Sequence, residues 1–247
     1  MDQRIRKISV KSALSAIADI AMPRVCVVCG APLIPQEHDI CTICLADFPR
    51  TRFSTMSHNA MADKFNAMIA LNEGDTGCRY CRATALFYYD EDADYKKITQ
   101  SLKYNRNFGA GKHFAGMLGA EMASSDLFCD VDVVVPVPLH WTRKWKRGYN
   151  QSEIIGRVIA SALSCPTDCN VLTRTRRTHT QTKLNVEEKF SNVKDAFKAR
   201  PGKKFKHILL VDDVFTTGST LSECYKALRK YHGPETRISV ATLGYVK

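Results

Sequence analysis

The sequence predicts an α/β fold in which helices flank a parallel sheet, preceded by a small cysteine-rich module. Two continuous aliphatic runs, within residues 131–138 and at 208–211, are typical of strands that are buried on both faces. Segments with helical spacing of apolar residues separate the strands, which indicates crossovers between parallel strands. Four cysteines in two close pairs occur near the start of the chain. We therefore predict a module in residues 1–82 and an α/β domain in residues 83–247.

The elements of the α/β domain follow from the spacing of its apolar residues. Strands are predicted at residues 85–89, 131–138, 208–211 and 237–244. Helices are predicted at residues 94–102, 108–122, 149–163 and 221–230. Because ligands of such sheets bind beyond the carboxyl ends of the strands, we expect the loops after the second and third strands to share one site.

The charge of the chain favours an anionic partner. Its 36 Lys and Arg residues against 25 Asp and Glu residues give a formal net charge of +11. Nucleotide-like substrates and nucleic acid would each account for that balance. No apolar run approaches the ~20 residues of a membrane helix. Residues 5–21 have apolar side chains on one helical face, interrupted by Ser15 and Asp19, so we predict an amphipathic helix of a cytoplasmic protein and not a signal peptide.

Two pairs of cysteines form a C-x2-C-x11-C-x2-C array. They are Cys26, Cys29, Cys41 and Cys44. Four thiolates complete the tetrahedral coordination of zinc and leave no open position, so the array predicts a structural zinc site and not a catalytic one. Two disulfides are the alternative, although disulfides are rare in the cytoplasm.

A third pair, Cys78 and Cys81, has no fourth pair to complete a metal site. A second zinc that also uses the distant His58 is one interpretation. Free thiols and a redox pair are equally compatible with the spacing. The sequence leaves the role of this pair open.

The stretch at residues 206–220 organises the rest of the chain. A buried strand is followed by Asp212 and Asp213, then by a loop of small residues and a helix. The loop contains Thr216, Thr217, Gly218, Ser219 and Thr220. Unpaired backbone amides at the start of a helix bind phosphate, and two carboxylates accept hydrogen bonds from a diol. A phosphate site beside a diol site predicts a ribose 5-phosphate ligand.

This stretch resembles the phosphoribosyl-pyrophosphate (PRPP) motif of type I phosphoribosyltransferases. That motif consists of a hydrophobic run, two acids, a hydrophobic pair and T-T-G-x-T, and residues 208–220 match all of these positions. The resemblance implies a type I phosphoribosyltransferase fold that binds PRPP together with Mg²⁺.

Basic residues outside the motif are candidates for binding pyrophosphate. An enzyme that transfers ribose phosphate from PRPP releases a multiply charged pyrophosphate, so cations are needed there, with Mg²⁺ sharing the charge. Arg143 and Arg147 follow the proline-stiffened turn at residues 136–138, and Lys103 lies earlier in the chain. For any single Lys or Arg, a solvated surface charge is the alternative.

Nearly the whole chain resembles the ComF/GntX family. The resemblance rests on P-V-P-L at residues 136–139, R-G-Y-N-Q at 147–151, T-Q-T at 180–182, the PRPP motif and the N-terminal cysteine pairs. It implies a phosphoribosyltransferase fold behind a zinc-binding module and a role in the import of single-stranded DNA by competent bacteria. The implied partners are single-stranded DNA and competence or DNA-processing proteins.

Two main functions follow from these patterns, and a regulator that senses PRPP is a further alternative. The first is Mg²⁺-dependent transfer of ribose 5-phosphate from PRPP to an acceptor that the sequence does not identify. Where purine-salvage enzymes have an acidic residue, this chain has Thr216, which cannot act as a general base at neutral pH. The alternative is a non-catalytic accessory of DNA uptake that uses the fold to bind nucleotide or DNA. The sequence shows no clear ladder of aromatic residues of the kind on which single strands stack.

Overall fold

The computed structural model describes residues 24–73, 79–175 and 195–247. The predicted N-terminal helix, Cys78 and the T-Q-T segment at 180–182 lie outside the described residues. The chain divides into two compact units, Met1–Phe48 and Pro49–Lys247. This division comes earlier than the predicted boundary after residue 82, because Phe53, Met61 and Phe65 pack into the core of the larger unit.

The smaller unit consists of short turns around the cysteines. Val25 pairs with Pro32 and His38 pairs with Ile40 in isolated antiparallel bridges. Helix α1 spans Thr42–Ala46. The buried apolar residues in the described part of this unit are Cys26, Val28, Ile40, Cys41 and Phe48.

A four-stranded parallel sheet forms the centre of the larger unit, in the order β1-β6-β5-β2. Its strands are β1 (Ala83–Tyr88), β2 (Val133–Pro136), β5 (His207–Phe215) and β6 (Arg237–Tyr245). Two short strands, β3 (Leu172–Arg174) and β4 (Phe197–Ala199), form a separate antiparallel pair.

Six helices are described in the larger unit. They are α2 (Ala60–Glu73), α3 (Lys96–Tyr104), α4 (Phe108–Ala123), α5 (Trp141–Arg147), α6 (Gln151–Ala162) and α7 (Ser219–His232). A 3-10 turn at Phe53–Thr55 precedes α2. Helix α6 packs against β2 and β5, and α4 packs against α6. Helix α2 contacts both β1 and α7. Among the described residues, the helices include none with the length and apolar character needed to cross a bilayer.

Strand β5 explains why the sequence contains an uninterrupted aliphatic run. Residues Ile208, Leu209, Leu210 and Val211 are all fully buried. Successive side chains of a strand point to opposite faces of the sheet, so complete burial of four in a row requires both faces to be covered. Ile208 and Leu210 lie in the core that also contains residues of α2 and α7.

The structure differs from the predicted elements in three places. Strand β5 continues to Phe215, so Asp212 and Asp213 lie within the strand and not after it. Helix α5 was not predicted, because its sequence, WTRKWKR, lacks a buried apolar stripe. The pair β3–β4 was also not predicted, because each strand has only 3 residues.

Candidate functional site

The predicted phosphate loop lies between the end of β5 at Phe215 and the start of α7 at Ser219. A pocket of about 40 Å³ is lined by Asp212, Val214, Thr216, Thr217, Gly218, Ser219, Thr220 and Leu221. The first amides of an α-helix have no partner within the helix and carry its positive dipole end. One pocket therefore combines a carboxylate with hydroxyl and amide donors.

The hydroxyls of the loop contact each other. Thr217 Oγ1 and Ser219 Oγ are 2.8 Å apart and form a hydrogen bond. The backbone N–H of Ser219 also donates to Thr217 Oγ1, at 3.4 Å. These hydroxyls and amides lie close together at the N-terminus of α7, a position where such groups can bind an anion.

Gly218 is required by the fold of the loop itself. Its φ of +80° lies in the left-handed region, and it is the N-cap of α7. A Cβ at this position would lie 2.6 Å from Met68 Cε and 2.7 Å from Phe215 Cζ. A side chain here would therefore collide with α2 and with the end of β5.

The two acids of the motif differ in their partners. Asp213 Oδ2 forms an ion pair with Lys103 Nζ at 2.9 Å. Asp212 Oδ1 accepts a hydrogen bond from Ser152 Oγ at 2.8 Å and another from the backbone N–H of Asp213 at 2.9 Å. The structure therefore brings Lys103 to the acidic pair, and it adds Ser152, which the sequence did not identify.

The surroundings of the acidic pair shift the pKa values of Asp212 and Lys103. Burial, and then repulsion from Asp213, raise the pKa of Asp212 to about 7, although Ser152 and Lys103 oppose the shift. Burial alone would lower the pKa of Lys103, but attraction to Asp213 and their hydrogen bond outweigh it, and the pKa is raised. Lys103 is thus a firmly charged ammonium, and Asp212 is a carboxyl that titrates near neutral pH.

The segment that follows α5 explains how Lys103 and Ser152 are positioned. The Tyr149 hydroxyl donates to the carbonyl of Leu102 and also lies 3.2 Å from the carbonyl of Lys103, which holds the end of α3. Asn150 caps α6 by accepting from the Ser152 N–H at 3.3 Å, and its Nδ2 donates to the Val137 carbonyl at 3.0 Å. The R-G-Y-N-Q motif therefore acts largely through Tyr149 and Asn150.

Neither of the two predicted arginines has a described contact with Asp212 or Asp213. The guanidinium of Arg147 lies 5.9 Å from the ring centroid of Tyr104, the residue after Lys103. Arg143 lies in α5, but its side chain is outside the described atoms. Of the two predicted pyrophosphate cations whose side chains are described, Lys103 is the one in contact with the motif.

Lys64 of α2 is a cation near the loop that the sequence did not indicate. Its Nζ donates to the carbonyl of Thr216 at 3.4 Å. The same Nζ lies 5.9 Å from the ring centroid of Phe215 and 5.8 Å from that of Tyr245. No local motif marks Lys64, because it reaches the loop only through the packing of α2 beside α7.

A larger cavity of about 440 Å³ lies elsewhere, between β4 and α7. Lys198, Lys226 and Lys230 line it, together with Glu223 and Tyr231. Glu223 already accepts a hydrogen bond from the Asp195 N–H, at 2.7 Å. Because none of the motif residues lines this cavity, the candidate site remains at the loop.

The four predicted zinc ligands converge in the smaller unit. The Sγ atoms of Cys26, Cys29, Cys41 and Cys44 all lie within 4.8 Å of one another. The Cys29 and Cys41 sulfurs are 3.7 Å apart, and none of the four cysteines forms a disulfide. Tetrahedral zinc with Zn–S bonds of 2.3 Å requires sulfurs about 3.8 Å apart. The four sulfurs therefore fit a zinc site, and the two disulfides that were the alternative are not formed.

Backbone N–H groups favour the thiolate form of Cys26, whereas burial and the neighbouring sulfurs raise the pKa of Cys44. Burial alone would raise the pKa of Cys26, but hydrogen bonds from the backbone of Cys29 and Cys41 lower it to about 7. The Cys41 N–H, for example, lies 3.3 Å from Cys26 Sγ. A thiolate is the form that binds a metal.

Cys81 does not belong to this cluster. It is 1% exposed and lies in the core of the larger unit, where burial raises its thiol pKa. Among the described residues, the N-terminal cluster is the only group of three or more potential metal ligands that lie close together. His58, the other residue considered for a second zinc, packs against Tyr80 with ring centroids 4.4 Å apart.

Comparisons with known proteins agree with the sequence motifs. Residues 150–246 match the model of the phosphoribosyl transferase domain family. The chain is 37% identical over 110 residues to Competence protein F of Haemophilus influenzae, which covers 43% of this chain and 48% of that protein. It is 28% identical over 212 residues to DNA utilization protein YhgH of Salmonella typhimurium, which covers 85% of this chain and 92% of that protein. The first match thus spans about half the length of the relative.

A similarity to a solved structure is weaker. A crystal structure of adenine phosphoribosyltransferase from Leishmania donovani aligns with a TM-score of 0.29 and 15% identity, covering 62% of this chain and 69% of that chain.

Proposed function

From the premise that this chain is a type I phosphoribosyltransferase-fold homologue of the ComF proteins, we propose that it binds PRPP and transfers ribose 5-phosphate to an acceptor in the presence of Mg²⁺. One observation carries this proposal. Asp212 and the whole loop from Thr216 to Leu221 line a single pocket, and Lys103 is paired with the adjacent Asp213.

The proposed roles follow from the chemistry of each group. The amides and hydroxyls of residues 217–220 bind the 5-phosphate, because they lie at the start of α7. Asp212 and Asp213 accept hydrogen bonds from the ribose hydroxyls. Lys103, with Arg143 and Arg147, meets the pyrophosphate, which must leave with the electron pair of its bond to ribose.

The acidic pair also fits Mg²⁺, which prefers oxygen ligands from one or two carboxylates and substrate phosphates. Asp212 and Asp213 are the residues that would hold it. Bound there, the ion supplies positive charge for the departing pyrophosphate. Thr216 itself cannot act as a general base, so an acceptor that is already a good nucleophile is favoured.

The smaller unit is proposed to hold one structural zinc through Cys26, Cys29, Cys41 and Cys44. The convergence of four sulfurs supports this role. A cytoplasmic location accompanies the proposal, since PRPP is a metabolite of the cytoplasm.

The second candidate function is a non-catalytic role in DNA uptake, with single-stranded DNA and competence or DNA-processing proteins as partners. The printed names of the relatives, Competence protein F and DNA utilization protein, favour it. Both functions are compatible with a retained PRPP site, because a bound phosphoribosyl ligand could serve catalysis or regulate DNA handling.

Calorimetry with PRPP and Mg²⁺ tests the proposal. The parent protein should bind PRPP, and Asp213→Asn should weaken binding by ~10- to 100-fold, because a ribose hydroxyl then loses a charged acceptor. Asp92→Asn is the matched control, since Asp92 is an exposed acid outside the motif. Absence of binding by the parent would refute the proposal. A screen of PRPP consumption with nucleobases, amines and short single-stranded DNA then separates catalysis from binding alone.

The pH dependence of PRPP binding provides a second measurement. Asp212 has a pKa raised to about 7, so it is ionised above that pH and protonated below it. A protonated carboxyl accepts fewer hydrogen bonds and holds a cation poorly, so affinity should fall by up to ~10-fold per pH unit below 7. Asp212→Asn should bind weakly at all pH values and lose this component of the dependence.

A further inference from the structure

The cavity of about 440 Å³ between β4 and α7 has hydrogen bonds between its two walls at both ends. At one end, the Asp195 N–H donates to Glu223 Oε2 at 2.7 Å. At the other end, the Tyr231 hydroxyl accepts from the Gly202 N–H at 2.7 Å and donates to the Gly202 carbonyl at 2.9 Å. The chain around β4 therefore runs alongside α7 in the same direction. We call the space between these two pairs of residues the β4–α7 cavity.

Three lysines line the β4–α7 cavity from both of its walls. Lys198 belongs to β4, whereas Lys226 and Lys230 belong to α7. The two lysines of α7 are four residues apart, so they occupy the same side of the helix. Residues 198–206, which form and continue the β4 wall, include five cations and no acidic residue. A cleft with this charge concentrates anions, and cations on both walls suit a ligand with several phosphates.

The end of the cavity at Asp195 and Glu223 has the opposite charge. One carboxylate oxygen of Glu223 accepts the Asp195 N–H, but a carboxylate has two oxygens and can accept further hydrogen bonds. Seven residues of helix separate Glu223 from Lys230, a rise of about 10 Å. A ligand that fits both ends therefore has hydrogen-bond donors at one end and negative charge at the other.

Apolar side chains lie between these polar ends. Phe197, Ala199 and Ala227 line the cavity, and all three pack in or against the main core of the larger unit. Apolar lining with a few polar groups is typical of sites for small molecules, and the volume lies in the range of such sites, roughly 300–1,000 Å³. Inorganic polyphosphate would leave the apolar lining unused, whereas a ligand that also has a flat ring would cover it.

We propose that the β4–α7 cavity binds a guanine nucleoside triphosphate, with its phosphates at Lys198, Lys226 and Lys230 and its base at Glu223. Guanine has two adjacent donors, N1–H and the N2 amino group, which match the two oxygens of a carboxylate. Adenine has an acceptor nitrogen beside its amino group, which a carboxylate disfavours. The described lining residues of this cavity and of the proposed PRPP pocket do not overlap, so the inference does not depend on PRPP binding.

Calorimetry of the full chain with GTP and Mg²⁺, first alone and then with excess PRPP, tests the proposal. We expect one GTP per chain, with the same affinity in both titrations. Lys226→Gln should weaken GTP binding by ~5- to 10-fold, because a charge-assisted contact to phosphate is lost. Lys112→Gln is the matched control, since it removes the same charge from an exposed position on α4, and it should leave GTP binding unchanged.

Glu223→Gln tests the base end of the cavity separately. Glutamine keeps an oxygen that can accept the Asp195 N–H, so the hydrogen bond between the walls is retained. GTP binding should weaken by ~10-fold, whereas binding of inorganic tripolyphosphate should be unchanged. The parent should bind ATP ~10-fold more weakly than GTP, and Glu223→Gln should remove most of that preference.

Three results would overturn the proposal. They are absence of GTP binding by the parent, loss of GTP binding in excess PRPP, and equal GTP affinity of the parent and Lys226→Gln. Equal affinity of the parent for GTP and ATP would overturn the assignment of guanine to Glu223. A parent that binds GTP but not PRPP would support this inference and refute the proposed PRPP site, so the two proposals fail separately.

Discussion

The interactions that stabilise the smaller unit differ from those that stabilise the larger unit. In the described part of the smaller unit, five apolar residues are buried, and two of these are the metal-site cysteines Cys26 and Cys41. The larger unit buries a continuous core on the α2–α7 side of its sheet, with Phe65, Leu210 and Tyr225 among its members. A unit with so few buried apolar groups requires a metal or disulfides, whereas a packed sheet does not.

In the smaller unit the same residues provide stability and bind the ligand, whereas in the larger unit different residues have these two roles. In the smaller unit, the proposed ligands of zinc are also the centre of the structure. In the larger unit, the acids and cations of the proposed PRPP site lie at the end of β5, outside the apolar core. Loss of a ligand should therefore unfold the first unit and leave the second folded.

Removal of zinc should have the largest effect. Cys26→Ser should unfold residues 24–48, because structural zinc contributes ~10 kcal/mol or more to the folding of small modules. Hydrogen exchange should show lost protection there and unchanged protection in residues 49–247. Cys129→Ser, at an exposed cysteine of the larger unit, is the control. Chelator-washed protein that stays folded and contains no zinc would contradict the interpretation.

Gly218→Val should be the most damaging single change in the larger unit. It would place a β-branched residue at a φ of +80°, with its Cβ 2.6 Å from Met68 Cε. We expect about 2–4 kcal/mol of destabilisation in urea unfolding, together with loss of PRPP binding. Gly202→Val is the control, since a Cβ there would have no atom within 4 Å. Equal stability of the two variants would show that α2 does not constrain the loop.

Arg147→Ala should change binding without changing stability. PRPP should lose ~5- to 10-fold in affinity, whereas ribose 5-phosphate should lose less, because only PRPP presents the pyrophosphate. Calorimetry with both ligands, with and without Mg²⁺, measures the difference. An equal loss for the two ligands would remove Arg147 from the pyrophosphate site and leave its contact with Tyr104 as its role.

Acid should destabilise the larger unit by a smaller amount. His232 is 8% exposed, and burial together with nearby Lys204 and Arg229 lowers its pKa from 6.5 to about 4. Between these values the unfolded chain binds a proton that the folded chain does not, so stability is full above pH 6.5 and falls as the pH decreases towards 4. We expect a loss of roughly 1–2 kcal/mol, discounted for partial solvent screening.

His232→Phe should reduce that acid loss in urea unfolding at pH 7 and pH 5. The ring already packs beside Phe205, with centroids 5.8 Å apart, so an aromatic replacement has a matching neighbour. His58→Phe is the control, because the His58 side chain is 70% exposed. An unchanged pH dependence in His232→Phe would assign the acid sensitivity to another group.

The elements of the fold could be predicted where a pattern is local. The aliphatic run of β5 and the helical spacing of α7 identified the centre of the sheet, and the spacing of four cysteines identified a cluster that the structure brings together. The resemblance to ComF proteins is confirmed by the relatives. Each of these signals lies within a short stretch of chain.

Contacts between distant segments could not be predicted in this way. Lys64 and Met68 reach the loop because α2 packs beside α7, and no pattern in residues 60–73 records that partner. Ser152 meets Asp212 across 60 positions of sequence. The exposure of Trp141 and Trp145 could not be predicted either, because the sequence pattern of residues 141–147 does not indicate the helix α5.

The strand order has a consequence for dissecting this protein. The segment that matches the phosphoribosyl transferase domain, residues 150–246, contains β5 and β6 but neither of the strands that flank them. A fragment cut at residue 150 would expose one long edge of β6, where β1 had paired, and one edge of β5, where β2 had paired. Unpaired strand edges associate with other chains, so we expect such a fragment to aggregate. We expect a soluble, monomeric fragment to require β1 and β2 as well.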